Sequence, residues 1–97
     1  MTTTPTIIDF TSARTPLAVR QTLALGLGLT GEAEPGWSDL RKFICDGANL
    51  QIHGRVIFKG VSRLARQLPD EALALRSAIA ELTQRRPEVI IGISIHD

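Results

Sequence analysis

Hydrophobic and polar positions along this chain fall into two periods, one of strands and one of helices. The first apolar run, Thr6-Ile7-Ile8-Asp9-Phe10, is β-branched and aromatic and follows Pro5, which predicts a strand over residues 5 to 10. Thr15-Pro16 then sets a capping hydroxyl before a proline at the first helical position, opening an Ala- and Leu-rich helix from Leu17 onward. Each interior glycine costs a helix about 1 kcal/mol, so this helix is expected to end near Gly26, with the rest a connection. A second helix starts at Trp37 or Ser38, sets Trp37, Leu40, Phe43 and Ile44 on one face, and stops at Gly47. Its opposite face holds Ser38, Lys42 and Cys45, flanked by Asp39 and Asp46 on one side and Arg41 on the other.

Further along, Arg55-Val56-Ile57-Phe58-Lys59, bounded by Gly54 and Gly60, reads as a second strand. Between Gly47 and Gly54, strand and loop readings compete. Ser62 is expected to cap a short turn of helix, and Leu68-Pro69-Asp70-Glu71 restarts a longer helix with acids in its first turn. In that helix Leu68, Ala72, Leu75, Ile79 and Leu82 form the packing stripe, while Asp70, Ser77, Glu81 and Gln84 take the far face. After Pro87, the run Glu88 to Ile95 predicts a third strand whose nearly continuous apolar character suits a central strand or one covered on both faces. Strands joined through helices favour parallel pairing. The expected fold class is α/β, a three-stranded, mainly parallel sheet with three to four helices, too few to cover both faces.

Ninety-seven residues allow one domain, 1–97, with residues 1–4 expected to fray. At 43% hydrophobic and 22% charged residues the chain has the composition of an ordinary globular domain. Eleven basic against ten acidic side chains leave a net charge of +1, so no whole-molecule field draws it to nucleic acid or an anionic membrane. A single cysteine, Cys45, forms no internal disulfide, and Met1 to Pro5 lacks a charged segment followed by an apolar stretch, so a cytoplasmic protein without a membrane segment is expected.

Candidate chemistry is sparse. Gly26-Leu27-Gly28-Leu29-Thr30-Gly31 matches the letter of a dinucleotide-binding fingerprint, but it follows a helix instead of a strand and opens into a loop. It reads as a glycine-rich helix exit. Cys45, His53 and His96 sit at no metal-ligand or nucleophile–base spacing. The expectation is therefore no catalytic residue, no metal, no cofactor and no enzyme. Arg55, Lys59, Arg63 and Arg66 form a basic stretch suited to phosphate contacts, yet single-strand binding also wants stacking aromatics, and the chain has one Trp, three Phe and no Tyr. Nucleic-acid binding is the weaker alternative. The acidic counterpart is Glu32, Glu34, Asp39 and Asp46 around the second helix, with Glu81 paired to Arg85 at i, i+4.

The order of elements together with three local patterns resembles the barstar family, intracellular inhibitors of barnase-type ribonucleases, over Ile7 to Ile95. Gly36-Trp37-Ser38-Asp39-Leu40 is similar to that family's Asn-Trp-Asp-Ala-Leu at the start of its second helix. Val56 to Leu64 is similar to its second strand and following turn, and Glu81 falls where it has a glutamate in its last helix. The resemblance implies a monomeric inhibitor that plugs a basic ribonuclease or toxin with the second helix and the loop before it. Barnase and its inhibitor are the standard example of charge-steered docking. The implied contact set is Glu32, Glu34, Trp37, Ser38, Asp39, Lys42, Asp46 and Glu81, with Trp37 also at a core position. The family's two key aspartates of that helix align with Ser38 and Lys42. Sliding the match by one residue puts Asp39 in the first acidic position, but it loses Trp37 and puts Phe43 in the second. A different, less basic protein partner, met by Arg41 and Lys42, is the alternative on the same fold.

Overall fold

Thr15 and Pro16 start the first helix as their chemistry dictates. In the computed structural model, which describes residues 5–29, 31, 33–47 and 54–93, Thr15 Oγ1 accepts a hydrogen bond from the Ala18 N–H at 3.1 Å. Helix α1 runs Pro16–Leu27, past the expected stop, and is capped by Gly28 in the left-handed conformation. Gly26 stays inside the helix for a reason that local propensity cannot supply. A methyl group there would lie 2.5 Å from Ile8 Cδ1 and Cγ1, so its missing side chain lets α1 sit directly on the first strand.

The strands are β1 (Thr6–Asp9), β2 (Arg55–Lys59) and β3 (Ile90–Ile93), ordered β1-β2-β3 with both pairings parallel. Helix α2 (Trp37–Asp46) follows α1 before β2, and α3 (Val61–Gln67) and α4 (Pro69–Arg85) link β2 to β3. The α/β class and parallel three-stranded sheet are as expected. Ile8, Val56 and Phe58 are buried on one face of the sheet and join Leu23, Leu27, Leu40, Ile44, Leu75 and Leu82 in a single core. Phe10 and Phe58 stack with ring centroids 6.4 Å apart and planes at 10°.

Three expectations are corrected. The residue before α3 that sets its start is Gly60, not Ser62. Gly60 has φ +78°, and a methyl group on it would lie 2.8 Å from the Thr11 backbone nitrogen, so no larger residue fits this corner. Secondly, β3 is an edge strand. Ile90 is 60% exposed and Ile93 47%, while β2 holds the centre. Central β2 exposes Arg55 and Lys59 at its two ends, so the longer continuous hydrophobicity of β3 did not mark the middle of the sheet. The other face shows Ile7, Asp9, Arg55, Lys59 and Ile90 to solvent. Thirdly, Glu81 does not lie on the far face of α4 but turns toward α2, where it meets Cys45.

Residues 1–4, the Leu50 to His53 stretch, and Ser94-Ile95 of the expected third strand lie outside the described residues. No helix among the described residues is long and apolar enough to cross a membrane.

Candidate functional site

Helix α2 buries Leu40 and Ile44 and packs Trp37 and Phe43 against the core, as its 3.6-residue period requires. Its two ends are fixed from outside the helix. At the start, the Trp37 indole N–H donates to Glu71 Oε2 on α4 at 2.6 Å. Glu71 lies 3.6 Å from the Arg20 guanidinium on α1, and Arg20 Nε in turn donates to the Pro35 carbonyl at 2.8 Å. Gln21 Nε2 donates to the Ala33 carbonyl at 2.8 Å, so α1 grips the preceding loop twice. At the far end, Arg86 donates to the Gly47 carbonyl at 2.9 Å and pairs with Glu88 at 3.3 Å. The loop and helix thus form a platform held by α1 and α4.

Outward, the platform presents Glu34, Ser38, Asp39, Arg41, Lys42, Cys45 and Asp46, all exposed. Asp39 Oδ2 accepts the Gly36 N–H at 3.0 Å, so one oxygen caps the helix and the other stays available. Asp39, Lys42, Phe43, Cys45 and Asp46 line a shallow groove of about 640 Å³, closed on the α1 side by Leu29. Among the described residues Lys42 and Asp46 make no ion pair or hydrogen bond. Both side chains are exposed.

Glu81 differs from the other acids. Its carboxylate accepts from the Cys45 thiol at 3.0 Å and from Arg85 Nε at 3.3 Å. The thiol hydrogen bond, then Arg85, hold Glu81 below the usual carboxylate range, and the same carboxylate pushes the Cys45 thiol up. The protonated thiol is a weaker nucleophile than the thiolate.

Of the residues expected at a contact surface, Ser38, Asp39, Lys42 and Asp46 share the outward side of α2, and Glu34 lies in the loop before it. Trp37 has its polar atom committed to Glu71, and Glu81 its carboxylate to Cys45 and Arg85. Glu32, like His53 and His96, lies outside the described residues. The basic stretch divides. Arg55 and Lys59 are exposed on the open sheet face, with Asp9 paired in register beside Lys59, while Arg63 and Arg66 belong to α3. Sequence reading missed Leu29 as a groove wall and Arg20 and Glu71 as supports. No local pattern marks any of them, because each acts on residues ten or more positions away.

Neither protein-family models, nor curated proteins, nor solved structures give a match to this chain.

Proposed function

We propose that this chain is a protein-binding module that inhibits a ribonuclease- or toxin-type enzyme by seating it on α2 and the loop before it. The observation that carries the reading is the contrast within one platform. Its backbone is pinned by Arg20, Gln21, Trp37 and Arg86, while the Lys42 and Asp46 side chains that line the groove have no partner among the described residues. A surface already rigid in its binding shape loses little entropy on docking, which is what a tight protein–protein contact needs. The barstar-like order of elements supports the same assignment.

A second reading keeps the surface and changes the target to a less basic protein. Lys42 in the groove wall and the pairing of Glu81 with Arg85 favour it. Calorimetric titration into a barnase-type ribonuclease at low salt, with RNA cleavage followed in the same samples, separates the two. One-to-one binding with loss of cleavage is the expected result. No heat and no inhibition would refute the ribonuclease target.

A further inference from the structure

Strand β3 ends the sheet, and its residues Ile90-Ile91-Gly92-Ile93 include no charge and no proline. Sheet edges are usually blunted by lysine, proline or a bulge, because an open edge offers its backbone groups to another strand. The register shows which groups this edge offers. The Ile90 N–H donates to the Gly54 carbonyl at 2.7 Å, and Arg55 pairs with Ile90 and Ile57 with Gly92. In a parallel ladder alternate residues turn both backbone groups to the same neighbour, so Ile90 and Gly92 bond β2 while Ile91 and Ile93 point theirs outward. Those outward groups have no partner among the described residues.

Gly92 is a second, independent observation. Its φ is not positive, and a methyl group on it would meet Ile57 Cγ1 and the Val56 carbonyl oxygen at 4.0 Å, an ordinary contact. Neither backbone conformation nor packing against the described residues calls for a glycine there. Glycine weakens a strand interior, and in that place it often marks the close approach of another backbone.

We infer that β3 pairs with β3 of a second copy of this chain, antiparallel across a two-fold axis at Gly92. Self-pairing has to set outward residues opposite outward residues. Centred on Gly92, Ile91 of each copy faces Ile93 of the other, so two pairs of two bonds give four hydrogen bonds. Centred on Ile91 or Ile93 instead, only one such pair forms, with two bonds. On the axis the two Gly92 residues make a close pair without hydrogen bonds, their Cα atoms about 4.5 Å apart. Any larger residue there would meet its own copy directly opposite. A foreign strand imposes no such condition, which is why the occupant is a second copy. The uncharged strands bring no like charges together, and Ile93, 47% exposed, is covered by Ile91 of the second copy. Four residues a side bury little area, so the dimer is weak and concentration-dependent. It uses no residue of the α2 platform and departs from the monomer that the barstar resemblance implies.

Sedimentation of the wild-type chain from about 10 μM to about 1 mM should show a monomer–dimer equilibrium. Ile93→Lys, which charges the edge, is expected to weaken dimerisation by about tenfold or more. Ile7→Lys, on β1 at the other edge and 51% exposed, should leave it unchanged. The register is read by cross-linking in a Cys45→Ser background. Gly92→Cys sets two thiols opposite each other at a Cα spacing within the roughly 4.4–6.8 Å that a disulfide accepts, and mild oxidation should link the chains as a dimer. Ile90→Cys, at a 60% exposed position of the same strand, is offset from its own copy in this register and should link far more slowly.

A wild-type monomer at every concentration would overturn the inference, and so would an unweakened dimer in Ile93→Lys. An equal loss in Ile7→Lys would overturn it in favour of stacking between open sheet faces. Equal cross-linking of the two cysteine variants would mean random collision and overturn it as well. If circular dichroism shows Ile93→Lys unfolded, the two cysteine variants decide. None of these results bears on the inhibitor reading.

Discussion

The indole N–H of Trp37, at the first turn of α2, donates to the Glu71 carboxylate on α4 at 2.6 Å across 34 positions of chain. Through Glu71 it reaches Arg20, and through Arg20 the Pro35 carbonyl, so one half-buried cluster joins α1, α2, α4 and the loop. Hydrogen bonds to charged groups are worth about 1.5–3 kcal/mol each. Trp37→Phe keeps most of the ring and removes the donor. We predict a loss of about 1–3 kcal/mol, seen as a thermal midpoint lower by roughly 4–24 °C for a domain of this size. In a double-mutant cycle, Trp37→Phe with Glu71→Gln should cost less than the sum of the two changes. Additive losses would show that the two side chains do not act as a pair.

Gly26 is where packing overrides propensity. On helix preference alone, Gly26→Ala should stabilise α1 by about 0.5–1 kcal/mol. The added methyl would instead lie 2.5 Å from two carbons of Ile8, which is 2% exposed and enclosed by the core. Overpacking of this kind costs about 1–3 kcal/mol. Urea denaturation should therefore show a net loss, with the midpoint reduced. A neutral or stabilising Gly26→Ala would mean that Ile8 has a second well-packed position.

Glu81 makes stability fall in acid. Its folded-state pKa is depressed, first by the Cys45 hydrogen bond and then by Arg85. The unfolded chain therefore binds a proton at higher pH than the folded one does. The stabilisation is complete above the ordinary carboxylate range and is lost as pH falls through the folded-state value. The stability difference between wild type and Glu81→Gln should shrink as pH is lowered from about 6 to about 3. A constant difference over that range would contradict the assignment. The same substitution takes a negative charge away from Cys45, so its thiolate should form at lower pH and alkylation at pH 8 should speed up.

The elements themselves were legible in the sequence because the forces that form them are local. Thr15-Pro16 and Gly47 punctuate the chain within a residue or two of the observed ends, and the run Arg55 to Lys59 between its two glycines matches β2 residue for residue. The outward set Ser38, Asp39, Lys42 and Asp46 was equally readable, since a helix of known phase leaves only one side for polar residues.

Tertiary structure decided the rest. It placed β3 at the edge, since strand order depends on where two crossovers land and not on how apolar a strand is. It held Gly26 within α1 because Ile8 comes too close for any side chain. It turned Glu81 onto Cys45 and tied Trp37 to Glu71, pairings that exist only once α2 lies against α4. Sequence alone set which side chains the surface of α2 offers. Long-range packing determined which of those charges are spent inside the fold and which remain for a partner.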